Sequence, residues 1–429
     1  MFSLKKAAAG VLSCTMLLGS LVISGCSDSN TSGTQSADNT SNGSSTAHQG
    51  EIKDISSVEL VKDMKIGWSL GNTLDGGNEV NRGQAPGAIE KSWGNPDTTK
   101  EMIDEIKKAG FNVLRVPTTW DWSTGEAPEY KISDEWFARV KEIVDYGMEN
   151  DMYVILNIHH ETWHDPLEAN YEAASDRLKK VWTQIGNYFK DYDEHLIFEG
   201  LNEPRVRNSD EEWNGGSDAT REVVNKLDAD FVSTIRSLDG NNKLRHLMIP
   251  GYAASSSEVA LKGLKIPEND DKLIVSVHAY IPYNFALADN KRSNKWVACK
   301  EGFTNDIDNL ADMLKTLFID KGQAVIIGEF GARSKDNEKY RAELAKYYVT
   351  KMKTIGVPCV WWDNGAFTGS GELFGLFDRR NLEWRYPLLK DALISASNGE
   401  YTVDGLKSDT AILDELKKDI AQSKNSSAE

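Results

Sequence analysis

Short runs of mostly apolar residues recur along the chain, and stretches with apolar residues at helical spacing separate most of them. Such nearly continuous apolar runs are typical of strands that are covered on both faces in a parallel sheet. Eight are predicted as strands: residues 65–72, 113–120, 152–160, 196–204, 246–253, 273–280, 324–330 and 357–364. Helices are predicted over residues 97–109, 133–149, 174–192, 218–238, 305–319, 338–355 and 387–394, with Ser133 capping the second.

This alternation predicts the fold class. It is α/β, and eight β/α units close into a (β/α)8 TIM barrel. The alternative is an open doubly wound sheet, which usually has a Gly-rich phosphate loop after its first strand. Here that position reads Leu70-Gly71-Asn72-Thr73-Leu74-Asp75-Gly76-Gly77, which does not match GxGxxG. A barrel in one domain over residues 51–398 is therefore favoured.

The first 26 residues have the pattern of an export signal. Lys5 and Lys6 precede an apolar stretch over residues 7–23, and residues 21–26 read Leu-Val-Ile-Ser-Gly-Cys. That ending resembles a bacterial lipobox, in which Cys26 becomes the lipidated first residue of the mature protein. We expect an exported protein whose only membrane attachment is the lipid on Cys26. Plain secretion after cleavage nearby is the alternative.

Two polar segments flank the predicted domain. Residues 27–50 are almost all Ser, Thr, Asn, Asp, Gly and Gln, so they cannot bury enough apolar surface to fold and predict a flexible linker. Residues 399–429 form a C-terminal extension, with a short helix predicted over residues 410–421 and a polar tail after it. No function is indicated for this extension.

Composition restricts the class of partner. The formal net charge is −17, or −19 once Lys5 and Lys6 leave with the signal, which disfavours nucleic acid or an anionic polymer. Twelve tryptophans favour a neutral polysaccharide, because the flat C–H faces of sugars stack on indole rings. Beyond the signal, Cys299 and Cys359 allow one disulfide at most, so stability is expected to come from the core.

Polar and aromatic residues collect where the predicted strands end. They are Asn72, Arg115, His159, His160, Asn202, Glu203, His278, Tyr280, Glu329, Trp361 and Trp362. In such a barrel the carboxyl ends of the strands form the site, whereas the opposite ends serve stability. A single buried His or Arg is most often structural. The convergence of the whole set on one rim is what predicts a functional site.

Glu203 and Glu329 are carboxylates at the tips of two predicted buried strands. Most enzymes that cleave glycosidic bonds use a pair of carboxyl groups of this kind. A third carboxylate, Glu199, precedes Glu203 within the same strand, and we expect it one barrel layer lower, as the partner of a buried polar group.

Several motifs resemble those of glycoside hydrolase family 5, over about residues 55–396. Those typical of the family are Leu114-Arg115-Val116-Pro117, Asn157-Ile158-His159-His160-Glu161, Leu201-Asn202-Glu203-Pro204, His278-Ala279-Tyr280 and Gly328-Glu329-Phe330. Those of its cellulase branch are Gly67-Trp68-Ser69-Leu70-Gly71-Asn72-Thr73, Trp93-Gly94-Asn95-Pro96 and Trp361-Trp362-Asp363-Asn364-Gly365. They occur in the order, and on the strands, that are typical of the family.

The resemblance implies a retaining β-glycosidase with an acid/base after the fourth strand, where Glu203 falls, and a nucleophile after the seventh, where Glu329 falls. Glu203 must donate a proton to the leaving oxygen, so its pKa is expected to lie above that of an ordinary Glu. Glu329 must stay ionised to attack the anomeric carbon. Arg115 and Tyr280 are expected to hydrogen-bond Glu329 and hold it as a carboxylate.

The other matched residues are expected to bind the sugar. The resemblance places Asn202 at the 2-hydroxyl, a contact that strengthens in the transition state. His159 and His278 match the family's two histidines, which would orient hydroxyls and tune the carboxylates. His160 either lines the cleft or supports His159.

Aromatic residues are expected to line an open cleft. Trp362, with Asn72, fits the wall and floor of the subsite on the non-reducing side, whereas Trp361 is expected to point into the barrel wall. Further aromatics in the strand-to-helix loops offer stacking subsites: Trp93, Trp120, Trp122, Trp163, Trp213, Tyr283 and Trp296. Loop packing is the alternative for each, and we assign Trp93, Trp163 and Trp213 to substrate binding.

The predicted function is a retaining endo-β-1,4-glucanase that cuts cellulose-type or mixed-linkage β-glucan by double displacement. The alternatives are a xyloglucan-specific endoglucanase or licheninase of the same family and, from another class, a non-catalytic glycan-binding lipoprotein. No cofactor is expected. No metal is expected either, because His159 and His160 would face opposite sides of a strand. We expect a monomer whose partner is the neutral polysaccharide.

Overall fold

Eight parallel strands close into a barrel in sequence order. The structure, a computed structural model, describes residues 48–289 and 293–425, so the predicted signal, Cys26 and most of the predicted linker lie outside the described residues. The strands are β1 (Ile66–Leu70), β2 (Val113–Val116), β3 (Tyr153–Asn157), β4 (Leu196–Glu199), β5 (Leu247–Ser255), β6 (Leu273–His278), β7 (Ala324–Phe330) and β8 (Cys359–Asp363). The predicted (β/α)8 fold is confirmed.

Helices surround the barrel. They are α1 (Ser57–Asp63), α2 (Pro86–Glu90), α3 (Lys100–Ala109), α4 (Asp134–Glu149), α5 (Tyr171–Tyr188), α6 (Asp218–Ser237), α7 (Glu258–Gly263), α8 (Tyr283–Ala286), α9 (Asn305–Leu317), α10 (Glu338–Lys353), α11 (Pro387–Asn398), α12 (Val403–Lys407) and α13 (Thr410–Asn425). Ser133 caps α4 as predicted, because its side chain accepts a hydrogen bond from the backbone N–H of Trp136. A short antiparallel hairpin, β9 (Phe377–Asp378) and β10 (Glu383–Trp384), follows β8.

The inward-facing residues change from apolar to polar along the strands. Val113, Ile155 and Ile197 belong to the apolar cluster that fills the barrel near the strand starts. Because side chains alternate along a strand, the residues two positions further on face the same interior. In β2 and β4 these are Arg115 and Glu199, which are fully buried. The barrel therefore carries a polar layer directly below its carboxyl-terminal rim.

Helix α1 packs against the other mouth of the barrel. Leu60, Val61 and Met64 are buried in the same apolar cluster as the inward-facing strand residues. The helix is fixed by a capping box between Ser56 and Glu59. This mouth serves packing and leaves the opposite rim to carry a site.

Six of the eight strands end earlier than predicted, and the difference is large for β3 and β4. The pairing of β3 with β4 stops at Asn157 and Glu199, whereas the sequence predicted strands as far as residues 160 and 204. Beyond that point the backbone leaves the ladder: His159 N–H donates to Thr118 O and Asn202 N–H to Ile158 O. His159 and Asn202 therefore lie on loops held by irregular backbone hydrogen bonds.

The C-terminal helix α13 packs against the domain. Leu416 is buried, Lys339 forms an ion pair with Glu415, and Tyr340 OH donates to Asp419. Cys299 and Cys359 are free thiols. Within residues 48–289 and 293–425 we find no helix long and apolar enough to span a bilayer.

Candidate active site

Arg115 is the centre of the polar layer. Its buried guanidinium donates to Glu199 Oε2 from Nε (2.9 Å), to Glu329 Oε1 from Nη1 (2.6 Å) and to Asn202 Oδ1 from Nη2 (2.7 Å). Burial works against its charge, but the two carboxylates outweigh burial and raise the pKa of Arg115. The Arg115 cation thus links β2 to Glu199 in β4 and Glu329 in β7. It also binds Asn202, which lies in the loop after β4.

Glu199 supports this layer from below. It also accepts hydrogen bonds from Asn157 Nδ2 (2.9 Å) and Ser276 Oγ (2.6 Å). The carboxylate is fully buried, with donors from β2, β3 and β6 around it. This confirms the expected role of Glu199 as the partner of a buried polar group.

Glu329 lies near the end of β7 with a donor on each oxygen. Arg115 Nη1 donates a hydrogen bond to Oε1, and Tyr280 OH donates one to Oε2 at 2.8 Å. Burial and the Glu329 charge raise the pKa of Tyr280 well above its ordinary value, so it remains an O–H donor. An ionised carboxylate can accept both bonds, which is the form that a nucleophile needs.

Glu203 has different partners. His278 Nδ1 lies 2.8 Å from Glu203 Oε1, and Arg205 Nη1 lies 3.4 Å from Glu203 Oε2. Burial alone would raise the pKa of Glu203, but the hydrogen bond and charge of His278 and the charge of Arg205 lower it overall. The expectation of a raised pKa for Glu203 is therefore wrong in this arrangement.

The proton that was expected on Glu203 is instead favoured on its neighbour, His278. Burial would lower the pKa of His278, but the charge of Glu329 and the hydrogen bond to Glu203 raise it above the ordinary value. His278 Nδ1 also lies 3.6 Å from Glu329 Oε2. The three groups form one cluster that can hold a shared proton.

The separation of the two carboxylates distinguishes reaction classes. One oxygen of Glu203, one oxygen of Glu329 and a nitrogen of His278 all lie within 4.8 Å of one another. Retaining glycosidases have carboxyl groups about 5–5.5 Å apart, whereas inverting ones need about 6.5–9.5 Å to admit a water. The close spacing fits a retaining site.

His159 and His160 contradict the prediction that they face opposite sides. Their ring centroids are 4.3 Å apart, and their Nε2 atoms lie 4.0 and 3.9 Å from Asp75 Oδ2. The reason is that β3 ends at Asn157, so the strand alternation no longer applies. Burial, the neighbouring His160 and the charge of Arg115 hold the pKa of His159 well below its ordinary value.

Residues 160–164 read His-Glu-Thr-Trp-His, an HExxH pattern that the prediction of no metal site wrongly counted as absent. On a helix this pattern presents two histidines to one zinc ion. Here it lies in a loop, and Glu161 accepts from Trp120 N–H and Trp163 Nε1–H. His164 is buried and does not share a candidate ion site with His160 among the described residues. The pattern is therefore not a zinc motif in this fold.

Trp362 and Asn72 lie side by side on the rim. The Trp362 ring is stacked on His159, with centroids 5.8 Å apart. Asn72 follows β1 in a left-handed conformation, φ 55°. A Cβ on Gly71 would come within 2.7 Å of the Trp362 ring, so only glycine fits there. Trp361 is fully buried against Phe330, as expected for a barrel-wall residue.

The loop aromatics divide into two groups. Trp93 and Trp213 are 42% and 63% exposed, and Trp163 is half-buried. Trp120, Trp122 and Trp296 are buried and belong to the core, so loop packing is the correct interpretation for these three. Tyr283, at the start of α8, is 61% exposed, so exposure leaves Trp93, Trp163, Trp213 and Tyr283 as candidates for sugar stacking.

Two site residues were missed from the sequence. Arg205 contacts Glu203 and lies over the Trp213 ring at 4.2 Å. Asp75 accepts from the backbone N–H groups of Asn72 and Thr73 and faces the histidine pair. The only signal was proximity: Arg205 follows Glu203 by two positions, and Asp75 follows Asn72 by three.

A family model described as "Cellulase (glycosyl hydrolase family 5)" matches residues 75–368. Endoglucanase B of Neocallimastix patriciarum is 49% identical over 349 residues, which is 80% of this chain and 72% of that protein. Endoglucanase A of Ruminococcus albus is 45% identical over 354 residues, covering 81% of this chain and 94% of its own length.

Solved structures agree with this match. A GH5-4 broad specificity endoglucanase from Ruminococcus champanellensis with bound cellotriose superposes with a TM-score of 0.77 at 42% identity, covering 80% of this chain and 99% of that one. A mutant glycoside hydrolase 5 lichenase from Caldicellulosiruptor sp. F32, in complex with cellotetraose, gives a TM-score of 0.75 at 42% identity, covering 81% and 97%. The family model spans more than half of the chain and several relatives exceed 40% identity, so the chain belongs to glycosyl hydrolase family 5.

Proposed function

We propose that this protein is a retaining endo-β-1,4-glucanase that hydrolyses internal bonds of a neutral β-glucan. The observation that carries the proposal is that one oxygen of Glu203 and one oxygen of Glu329 lie within 4.8 Å of each other, while the two carboxylates have different partners. Glu329 has two donors, whereas Glu203 shares a hydrogen bond with a group that can supply a proton. That asymmetry assigns the nucleophile to Glu329 and the acid/base to Glu203.

In the first step a Glu329 oxygen bonds to the anomeric carbon and the glycosidic C–O bond breaks. Before this step His278 passes a proton to Glu203 through their 2.8 Å hydrogen bond; Glu203 then gives that proton to the leaving oxygen and is left as a carboxylate. The product is a glycosyl ester on Glu329. Arg115 stabilises the polar layer while the Glu329 carboxylate loses its negative charge on forming the ester.

In the second step Glu203 accepts a proton from water. The water oxygen bonds to the anomeric carbon, and Glu329 leaves as a carboxylate that Arg115 and Tyr280 again hydrogen-bond. Two displacements give retention of configuration. Asn202 has its Oδ1 committed to Arg115, so its Nδ2 is oriented to donate to a sugar hydroxyl.

The substrate is proposed to be cellulose-type or mixed-linkage β-glucan. Supporting this, relatives are described as endoglucanases, as a broad specificity endoglucanase and as a lichenase. Exposed Trp93 and Trp213 offer apolar faces to a chain lying across the rim, as endo-action requires. A licheninase or a xyloglucan-specific enzyme is the alternative within the family.

We also propose that the protein is exported and works as a monomer, anchored only through lipid on Cys26. The support is the sequence Leu-Val-Ile-Ser-Gly-Cys at residues 21–26 after an apolar stretch, followed by a polar linker. An anchor of this kind lets a tethered domain reach insoluble or polymeric substrate near the cell surface.

The first prediction concerns the two carboxylates. Glu329→Ala and Glu203→Ala are each expected to lower kcat by several orders of magnitude with the fold intact, measured on a soluble β-glucan. Azide is expected to restore turnover partly in Glu329→Ala alone, with an inverted glycosyl azide as product, because a small anion can occupy the space of the nucleophile. Glu372→Gln, an exposed carboxylate beside the pair, is the control and should lose little. Rescue of neither variant would contradict the assigned roles.

The second prediction concerns pH. Arg205 lowers the pKa of Glu203, so Arg205→Gln should raise that pKa and keep the acid protonated at higher pH. The alkaline limb of kcat/KM is therefore expected to move to higher pH. Arg207→Gln is the matched control, because Arg207 contacts Asp165 and the backbone of residues 161 and 162 instead. An unchanged limb in Arg205→Gln would show that Arg205 does not tune the acid.

The third prediction separates the candidate substrates. Release of reducing sugar is expected from carboxymethyl-cellulose and lichenan, with slower release from mannan. Xyloglucan distinguishes the alternative: cleavage of xyloglucan alone would favour the xyloglucan-specific enzyme. Binding to the polymers without release from any of them would favour a non-catalytic glycan-binding protein.

The fourth prediction concerns the anchor. In an expressing bacterium, Cys26→Ser should abolish incorporation of labelled fatty acid and move the protein from the membrane to the soluble or extracellular fraction. Cys299→Ser is the control and should leave labelling unchanged, because its thiol lies in the folded domain. Equal labelling of wild type and Cys26→Ser would overturn the lipoprotein proposal.

A further inference from the structure

A cluster of histidines and carboxylates lies at the amino-terminal mouth of the barrel, opposite the catalytic rim. Asp151 lies in the loop before β3, and Asp193 and His195 lie in the loop before β4. His48 is brought to them by the segment that leads into the domain, because Asp193 N–H donates to His48 O and Gly50 N–H donates to Asp191 O. The sequence shows no motif here, since the three loops are far apart along the chain.

Asp193 orients both imidazoles. Its Oδ2 lies 2.8 Å from His48 Nδ1 and its Oδ1 lies 3.0 Å from His195 Nδ1. A carboxylate only accepts, so both Nδ1 atoms carry a hydrogen, and in the neutral form of each imidazole the Nε2 atom then has the lone pair that can bind a metal ion. Carboxylates of this kind, behind histidine ligands, set the tautomer at metal sites. Tyr153 stacks on the His195 ring at 4.7 Å and fixes its plane.

Both Nε2 atoms face one further carboxylate. Asp151 Oδ1 lies 3.3 Å from His48 Nε2 and 3.8 Å from His195 Nε2. One ligand atom from each of these three residues falls within 4.8 Å of the others. Bonds of about 2.0–2.1 Å in a tetrahedral zinc site place ligand atoms about 3.3 Å apart, so small side-chain shifts would complete the geometry.

The exposure of the cluster suits an open site. The side chains of His48 and His195 are 20% and 13% exposed, whereas that of Asp151 is 75% exposed. An ion could therefore enter from solvent on the Asp151 side, and water could complete the coordination. Asp151 has φ 51°, a left-handed conformation that Asp and Asn tolerate, and Lys107 Nζ donates to its backbone oxygen.

We propose that His48, His195 and Asp151 form a binding site for a divalent transition-metal ion, with Zn²⁺ as the best fit, oriented by Asp193. Two imidazole nitrogens and one carboxylate oxygen are ligands that zinc accepts, and softer sulfur ligands are not among them. The site is distinct from the catalytic carboxylates and does not rest on the proposed function.

The role of the ion is to clamp the start of the domain. His48 belongs to the segment that enters the domain, and Asp151 and His195 belong to loops of the barrel. Hydrogen bonds already hold the segment, including one from Asn241 Nδ2 to Gly50 O at 2.6 Å. An ion bound only when these three elements are in place would stabilise the folded state.

The test is a Zn²⁺ titration of the metal-free full chain, made without a histidine tag. The expected result is one tightly bound ion at this site, a higher thermal midpoint, and a visible absorption band of tetrahedral type when Co²⁺ replaces Zn²⁺. His195→Gln and Asp151→Asn are expected to weaken this binding at least about tenfold, and Asp193→Asn about tenfold to a hundredfold as a loss of orientation. Asp151→Asn keeps the shape of the loop and the activity towards β-glucan.

Asp414→Asn is the matched control, because Asp414 is a similarly exposed carboxylate, 64% exposed, on α13. It should bind Zn²⁺ as wild type does. Three other described clusters could attract the ion. Asp193–Glu194–His195 shares His195 with the proposed site, and Asp151→Asn distinguishes the two because Asp151 belongs only to the proposed site. Binding at Asp75–His159–His160 or at Glu203–His278–Glu329 would inhibit hydrolysis. Equal affinity in wild type, His195→Gln and Asp151→Asn would overturn the proposal. A second outcome would also overturn it: metal-free His195→Gln has a lower thermal midpoint than wild type, but Zn²⁺ does not change the midpoint of wild type. That outcome would mean that hydrogen bonds alone hold the segment.

Discussion

The site depends on one buried cation. Arg115 is fully buried, and its guanidinium is shared between Glu199, Glu329 and Asn202. Removing one partner from a buried ion pair costs about 3–5 kcal/mol, because the other charge stays buried without compensation. The barrel therefore cannot close in its native form without bringing β2, β4 and β7 into register around Arg115. The same interaction that satisfies the core positions Glu329, the proposed nucleophile.

This arrangement separates the two carboxylates chemically. Glu329 is tied to a group that never loses its charge, whereas Glu203 is tied to His278, which can give up its proton. The pKa of His278 is raised and that of Glu203 is lowered, so the resting site favours the proton on His278. The Glu203 carboxylate that must later donate this proton lies directly beside it. Transfer along one short hydrogen bond is all that turns the resting pair into a loaded acid.

Sequence alone predicted the elements and most of the rim, because apolar runs and strand order are local or pairwise patterns. It identified Glu199 correctly as the partner of a buried polar group, which is Arg115. It failed where the strand ends: the rings of His159 and His160 meet because the ladder stops at Asn157. A strand end depends on how far the neighbouring strand pairs, which no residue in β3 encodes by itself.

The prediction of a raised pKa for Glu203 failed for a related reason. Burial can be read from an apolar strand, but the opposing charges come from Arg205 on a loop and from His278 on β6, whose distance is set by closure of the barrel. The cluster around Asp193 is a stronger case of the same limit. His48, Asp151 and His195 are unremarkable residues in the sequence, and only the junction of three loops makes them neighbours. An apolar layer containing Ile155 and Ile197 fills the barrel between that cluster and the catalytic rim, so an ion there would act on stability and leave the chemistry to the other mouth.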